Sequence, residues 1–264
     1  MISISELKRI AAKNKVALTV VEKDYALTWI LYGLSQITYN ENFIFKGGTA
    51  LRKMYFSEWR YSEDLDFTLT TPLAKEKIDE MINKVSLYLS EESGIIINIK
   101  SIYTNPEYAQ IKIQFLGPLG NKNTIKLDLS FNELVVLKPN KKPIISEYSD
   151  QEKHPFLVYP LEEILAEKIR SILQRGKTRD FYDVWKILKK HLDRIDTKLL
   201  QDALIKKCKF KEIEFAEEKL FTNDITEPAR AYWEKALAHQ IGELPEFYTV
   251  LAESKELIHR LLKP

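Results

Sequence analysis

Lys46-Gly47-Gly48-Thr49-Ala50-Leu51-Arg52, followed after a short spacer by Arg60-Tyr61-Ser62-Glu63-Asp64-Leu65-Asp66-Phe67, is the stretch on which the fold turns. Phe43–Lys46 reads as a short apolar strand that runs into the glycine pair, and Thr49–Phe56 reads as the helix that follows. Glycine lets backbone N–H groups approach a phosphate closely, and the start of a helix adds favourable partial charge. Asp64 and Asp66 alternate with Leu65, Phe67 and Leu69, which is the pattern of a strand with both carboxylates on one face. Two like charges that close raise each other's cost of ionisation, and a divalent cation relieves it. Magnesium takes one or two carboxylates together with phosphate oxygens. Any tight strand–helix turn could carry the glycines, and any solvated strand could carry the acids. Their succession is what points to phosphate chemistry.

Outward from this stretch, strands and helices alternate. A helix fits 74–90, strands fit 95–103 and 109–116 around a turn at Asn105-Pro106, and a further strand fits 124–131. In that last strand Ile125, Leu127, Leu129 and Phe131 share one face, and Lys126, Asp128 and Ser130 share the other. Asp128 is therefore a candidate third carboxylate, and Asp64, Asp66 and Asp128 together form a candidate two-metal set. Residues 1–40 read helical, with Ser5 as the cap of a helix starting at Glu6. Residues 137–156 are polar and proline-containing, a linker or a strand-bearing crossover. From Leu161 onward the pattern is helical. The expected fold is α+β: a mixed-sheet domain with flanking helices over 1–150, then a helical domain over 151–264.

Composition narrows the class. Glycine is scarce, eight in 264 residues, where average usage of about 7% gives roughly 18. Two of the eight stand side by side at the turn. A single cysteine, Cys208, excludes a disulfide scaffold and a cysteine-based zinc site, and fits a reducing cytoplasm. No apolar run approaches a membrane span, and the opening residues lack the core of a signal peptide. The net charge of +2 excludes a histone-like polycation. It also conceals structure: residues 165–180 hold five bases against two acids, and residues 212–264 hold eleven acids against six bases.

Within the basic segment, Lys168 and Arg175 are seven apart and lie near one helix face. Gly176 breaks that helix, and Thr178 is the expected cap of the next, which carries Asp180 and Asp183 in its first turns. Lys177 and Arg179 flank the break.

The glycine turn and the Asp64-Leu-Asp66 strand resemble the first motif of the nucleotidyltransferase superfamily, in which a later third aspartate completes the set. The wording is closest to the AbiEii/AbiGii toxin family of toxin–antitoxin and phage-defence (abortive infection) systems. Glu22-Lys-Asp-Tyr25, Ala166-Glu-Lys168-Ile-Arg170 and Arg175-Gly-Lys177-Thr-Arg179-Asp180-Phe-Tyr182-Asp183 add to the resemblance, which spans roughly residues 15–190. It implies a nucleotidyltransferase fold and transfer of a nucleoside monophosphate from an NTP to an acceptor, with pyrophosphate leaving. The implied acceptor is the 3′ end of tRNA, with a protein acceptor or phosphoryl transfer as alternatives; a nucleotide- or RNA-binding module without turnover is the alternative of another class. The implied cofactor is Mg²⁺ or Mn²⁺ on Asp64, Asp66 and Asp128, and the implied partner is a cognate antitoxin. Gly47, Gly48 and Thr49 are implied to hold phosphates, Lys168 to bind phosphate or stabilise charge, and Asp180 to be a further catalytic acid. Lys46, Arg52, Ser62, Arg175 and Lys177 are further phosphate candidates. Thr49 or Ser62 supplies the hydroxyl that many superfamily members place after a Gly-Ser turn.

Other residues read structurally. His154, His191, His239 and His259 form no ligand spacing, and Cys208 sits in a Lys-rich helix. Tyr103, Tyr108 and Phe115 are candidates for base stacking, and Asp24 for support of the site.

Overall fold

The computed structural model describes residues 1–37, 40–151 and 154–262. The chain divides into two compact units, Met1–Glu133 with Pro139–Tyr159, and Leu134–Lys138 with Pro160–Pro264.

The first unit is a seven-stranded mixed sheet with helices. Its strands are β1 (Phe43–Lys46), β2 (Asp64–Leu69), β3 (Ile96–Asn105), β4 (Tyr108–Leu116), β5 (Lys122–Ser130), β6 (Asn140–Pro143) and β7 (Pro155–Val158), in the order β3-β4-β5-β2-β1-β7-β6. β2 runs parallel to β5 and β1 parallel to β7; the other neighbours are antiparallel. The polar stretch expected as a linker or crossover thus carries β6 and β7. Because β7 pairs with β1, the sheet unit runs on past residue 150 to Tyr159.

One face of the sheet is the core. Phe43, Phe45, Leu65, Phe67, Ile111, Ile113, Phe115, Ile125, Leu127 and Leu129 are all buried, as period-two alternation requires. Phe45 and Phe67 stack with ring centres 5.0 Å apart. Helix α4 (Lys75–Glu92) packs on β3 and against α2 (Leu18–Ser35) through Ile78, Met81, Ile82, Val85 and Leu89, one helical face. Phe115 therefore belongs to the core and is not available to stack a base. α2 is buried on nearly every side, Glu22 and Asp24 included. Helix α1 is Ile4–Asn14; its cap is Ser3, not Ser5, with Ser3 Oγ accepting from the Glu6 amide at 3.2 Å.

The second unit is helical: α5 (Leu161–Arg175), α6 (Thr178–His191), α7 (Thr197–Phe210), α8 (Asn223–Ala231), α9 (Trp233–Leu237) and α10 (Phe247–Leu262), with short 3₁₀ turns between. Gly176 ends α5 in the left-handed region at φ 52°, as its place after Arg175 predicts. Lys177 occupies the cap position of α6; Thr178 lies one residue inside and donates its hydroxyl to the Ala229 carbonyl at 3.0 Å, so it does not cap. Glu163 is buried and receives the Val136 and Leu137 amides at 2.8 and 2.9 Å, with Lys207 Nζ at 3.0 Å. This pins 134–138 to the helices. Cys208 is buried, as its structural reading expects. Among the described residues no helix is long and apolar enough to cross a membrane.

Candidate active site

The sheet's second face carries the acids. Register places Lys46 opposite Asp66, Asp66 opposite Asp128, and Asp128 opposite Gln110, so these four form a row across β1, β2, β5 and β4. Asp64 is two residues back on β2, on the same face, opposite Lys126. Adjacent strands lie about 4.8 Å apart, so Asp66 and Asp128 are close neighbours. The sequence placed each acid on the polar side of its own strand. The parallel pairing of β2 with β5 is what brings them together.

The glycine turn abuts this row. Gly47 has φ 77°, a conformation that side chains resist, and a Cβ there would collide with Asp66 Oδ2. A Cβ on Gly48 would lie 2.6 Å from Arg60 Nη2 and 3.4 Å from Ser62 Oγ. Each glycine thus lets backbone pass against a charged side chain. Arg60, at the head of the second motif stretch, is buried beside the turn. Thr49 is buried and donates its hydroxyl to the Asp64 carbonyl at 2.5 Å, which ties the turn to the start of the Asp-x-Asp strand. Ser62 Oγ is the hydroxyl that faces Gly48.

Asp128 is oriented by its neighbours on β4. Tyr108 donates its phenol to Asp128 Oδ1 at 2.5 Å, and Gln110 Nε2 donates to the same oxygen at 2.9 Å. Burial, with Asp128 and Asp66 beside it, pushes the Tyr108 phenol well above its ordinary value, so it stays a donor at neutral pH. The candidate base-stacker Tyr108 is therefore engaged with the carboxylate row. At the other end, Lys46 is buried and paired with Glu133. Thr68 Oγ1 donates to Glu133 at 2.9 Å and lies 2.7 Å from the Tyr159 hydroxyl. Glu133 follows the end of β5 in a stretch without periodicity, and no sequence signal marks it.

Arg52 is corrected from phosphate ligand to structural cation. Its Nε donates to Asp24 Oδ1 at 3.1 Å, Nη1 to the Trp59 carbonyl at 2.6 Å and Nη2 to Glu147 at 2.8 Å, while the guanidinium lies 3.7 Å from the Tyr61 ring centre. Lys53 and Tyr148 also reach Asp24, at 2.5 and 2.7 Å. Burial opposes ionisation of Asp24, but Lys53 and Arg52 together hold the carboxyl below its ordinary value. Asp24 anchors the π-helical turn Leu51–Tyr55 that follows the glycines.

In the helical unit, Lys168 Nζ lies 3.1 Å from Asp180 Oδ1 and 2.6 Å from Asp183 Oδ2, all three buried. Arg175 Nη2 reaches Asp180 at 3.5 Å. The helix-face argument thus brings Lys168 and Arg175 to one carboxylate, with Asp183 added. The side chains of Arg175 and Lys177 are exposed.

A divalent cation fits the donor set of the sheet. Asp64, Asp66 and Asp128 offer hard carboxylate oxygens on one half-buried face. Among the described residues no three His, Cys, Asp or Glu side chains form a ready-made ion cage. Mg²⁺ needs none, since it keeps waters and phosphate oxygens beside one or two carboxylates.

A mixed sheet with a glycine turn leading into an Asp-x-Asp strand, and a third aspartate on the parallel neighbour, is the arrangement that the resemblance to nucleotidyltransferases implies. Among solved structures the chain is similar to MenT4, a nucleotidyltransferase toxin from Mycobacterium tuberculosis H37Rv, with TM-score 0.75 and 18% identity over 100% of this chain and 91% of that one. At that identity the likeness speaks for the fold. No curated protein sequence matches. The sequence model of the AbiEii family, nucleotidyl transferase toxins of type IV toxin–antitoxin systems, matches residues 29–253, and the chain belongs to that family. It is accordingly a nucleotidyltransferase toxin, for which family membership implies an NTP substrate, a divalent metal and a cognate antitoxin.

Proposed function

We propose that the enzyme transfers a nucleoside monophosphate from an NTP to the 3′ end of tRNA, with Mg²⁺ or Mn²⁺ at Asp64, Asp66 and Asp128. The observation that carries this reading is the pairing of Asp66 with Asp128 on an open face, against a turn whose glycine backbone abuts Asp66. In the reaction the acceptor oxygen bonds to the α-phosphorus, the bond to the pyrophosphate oxygen breaks, pyrophosphate departs, and the acceptor hydroxyl gives up its proton. When bound, the cation supplies charge neutralisation and a lowered hydroxyl pKa. The chain's own residues do the rest. The backbone of Gly47, Gly48 and Thr49, with Ser62, positions the phosphates; Thr49 holds the turn to β2; Tyr108 and Gln110 fix the Asp128 carboxylate. Lys46 acts within this group as the cation beside Asp66. On the family resemblance, Lys168 and Asp180 take part in the same reaction, and Arg175 and Lys177 are exposed cations for phosphate.

The test is label transfer with Mg²⁺, each NTP in turn labelled at the α- or the γ-position, and total tRNA, with Asp64→Ala as control. α-Label on tRNA from the wild type alone is the expected result. γ-Label on the acceptor would mean phosphoryl transfer. No label on tRNA from any NTP, with folded protein, would remove tRNA as acceptor.

A further inference from the structure

We infer that the open face of β3, β4 and β5 is a track for single-stranded RNA leading to the carboxylate row, with Tyr103 as a stacking platform for a base. The inference rests on the proposed RNA acceptor. It comes from continuing the register outward. Gln110, the last member of the row, pairs with Tyr103 on β3, so Tyr103 stands on the acid-bearing face two strands from Asp128, or about 10 Å. Tyr103 is 61% exposed, the most of any large hydrophobic side chain among the described residues of the sheet unit. The parallel row behind it runs Asp64, Lys126, Lys112, Ser101. Lys112 and Lys126 are exposed cross-strand neighbours, and among the described residues neither forms an ion pair.

Charge on these strands is one-sided. β3, β4 and β5 carry Lys100, Lys112, Lys122 and Lys126 and a single acid, Asp128 itself. Like-charged lysines directly opposite cost stability in a sheet, and a phosphate backbone is the natural neutraliser. Polar side chains, lysines and an exposed aromatic are what single-strand binders use: cations follow the backbone, and a ring stacks a base of any identity. A protein partner fits less well. The exposed apolar residues Ile96 and Tyr103 stand near opposite ends of β3 and form no contiguous anchor. β3 is an edge strand, but its register is interrupted between Ile99 and Ser101, and such irregularity obstructs addition of a further strand.

The test uses fluorescence anisotropy of a labelled single-stranded oligoribonucleotide with a tRNA 3′-end sequence, and transfer to tRNA assayed in parallel. Tyr103→Ala should weaken binding about tenfold, and Tyr103→Phe should restore it to within about twofold. The Lys112→Ala/Lys126→Ala double variant should lower the slope of log affinity against log salt by about 1.4, at roughly 0.7 per cation. In the transfer assay, Tyr103→Ala should raise KM for tRNA and leave KM for NTP unchanged. Unchanged affinity and slope in these variants, or wild-type protein that does not bind the oligoribonucleotide, overturns the track. So does loss of antitoxin binding in variants that keep full RNA affinity, which would put a protein on this face. Labelled tRNA with unchanged KM in the variants sinks the track and leaves the acceptor standing. Binding that depends on the face without any transfer does the reverse.

Discussion

Two clusters in this molecule set aspartates beside basic groups, and they are built on opposite principles. In the helical unit, Lys168 and Arg175 meet Asp180 and Asp183, and three of the four are buried. Two cations stand against two anions there. On the sheet, Asp64, Asp66 and Asp128 gather on a half-buried face, with Lys46 opposite Asp66 and also paired with Glu133. Three carboxylates on one face crowd like charge, and a divalent cation relieves such crowding. The first cluster is a largely buried network of ion pairs; the second gathers carboxylate oxygens of the kind a divalent cation takes as ligands.

The contrast can be broken by substitution. The largest effect is expected on the sheet: Asp66→Asn should lower nucleotidyl transfer by about a thousandfold or more, in line with loss of a group that stabilises developing charge. Asp66→Asn keeps the shape of the side chain, so its melting temperature should change little. A fall of many degrees would show that Asp66 is held chiefly as a structural group. Next comes Lys168→Met. It removes the cation that two buried carboxylates share, and should cost about 3–5 kcal/mol in denaturant unfolding. Lys168→Arg, which keeps the charge, should recover most of that stability. A stable Lys168→Met protein would place this cluster in the ligand-seeking class with the sheet. The smallest effect is expected from Tyr108→Phe, which removes one of two donors to Asp128 Oδ1. Loss of a hydrogen bond to a charged group is worth about 1.5–3 kcal/mol, so transfer should fall roughly tenfold or somewhat more, with a higher Mg²⁺ requirement and little change in melting temperature. A metal titration of both proteins checks this, and identical curves would remove Tyr108 from the site.

Much of this was legible in sequence because it is local. A glycine pair between an apolar strand and a helix, an Asp-x-Asp alternation and a capping glycine at 176 all act within a few residues, where backbone geometry dictates side-chain direction. Arg52 and Phe115 show where local reading stops. Arg52 sits within the motif and looks like a phosphate ligand, yet Asp24, a residue 28 positions earlier, claims its guanidinium. Phe115 lies near a strand end, yet it points to the core. Ser3 caps α1 where Ser5 was expected, and Lys177 stands at the cap position of α6 without a side-chain cap bond because packing gives the Thr178 hydroxyl to the Ala229 carbonyl. Glu133 and the Tyr108 contact to Asp128 carry no periodic signal and became visible only through their partners.

The sequence by itself determined that a mixed α/β unit precedes a helical one, that a glycine turn leads into a strand bearing two acids on one side, and that a basic helix end precedes two more acids. Those follow from spacing and conformational preference, which any short segment expresses alone. Only the tertiary structure decided that β5 lies parallel to β2 in the register that sets Asp128 beside Asp66, and that the same face continues to Lys112 and Tyr103 at the sheet edge. Strand pairing is a contest among many apolar faces for one core, and its outcome depends on contacts between residues far apart in the chain.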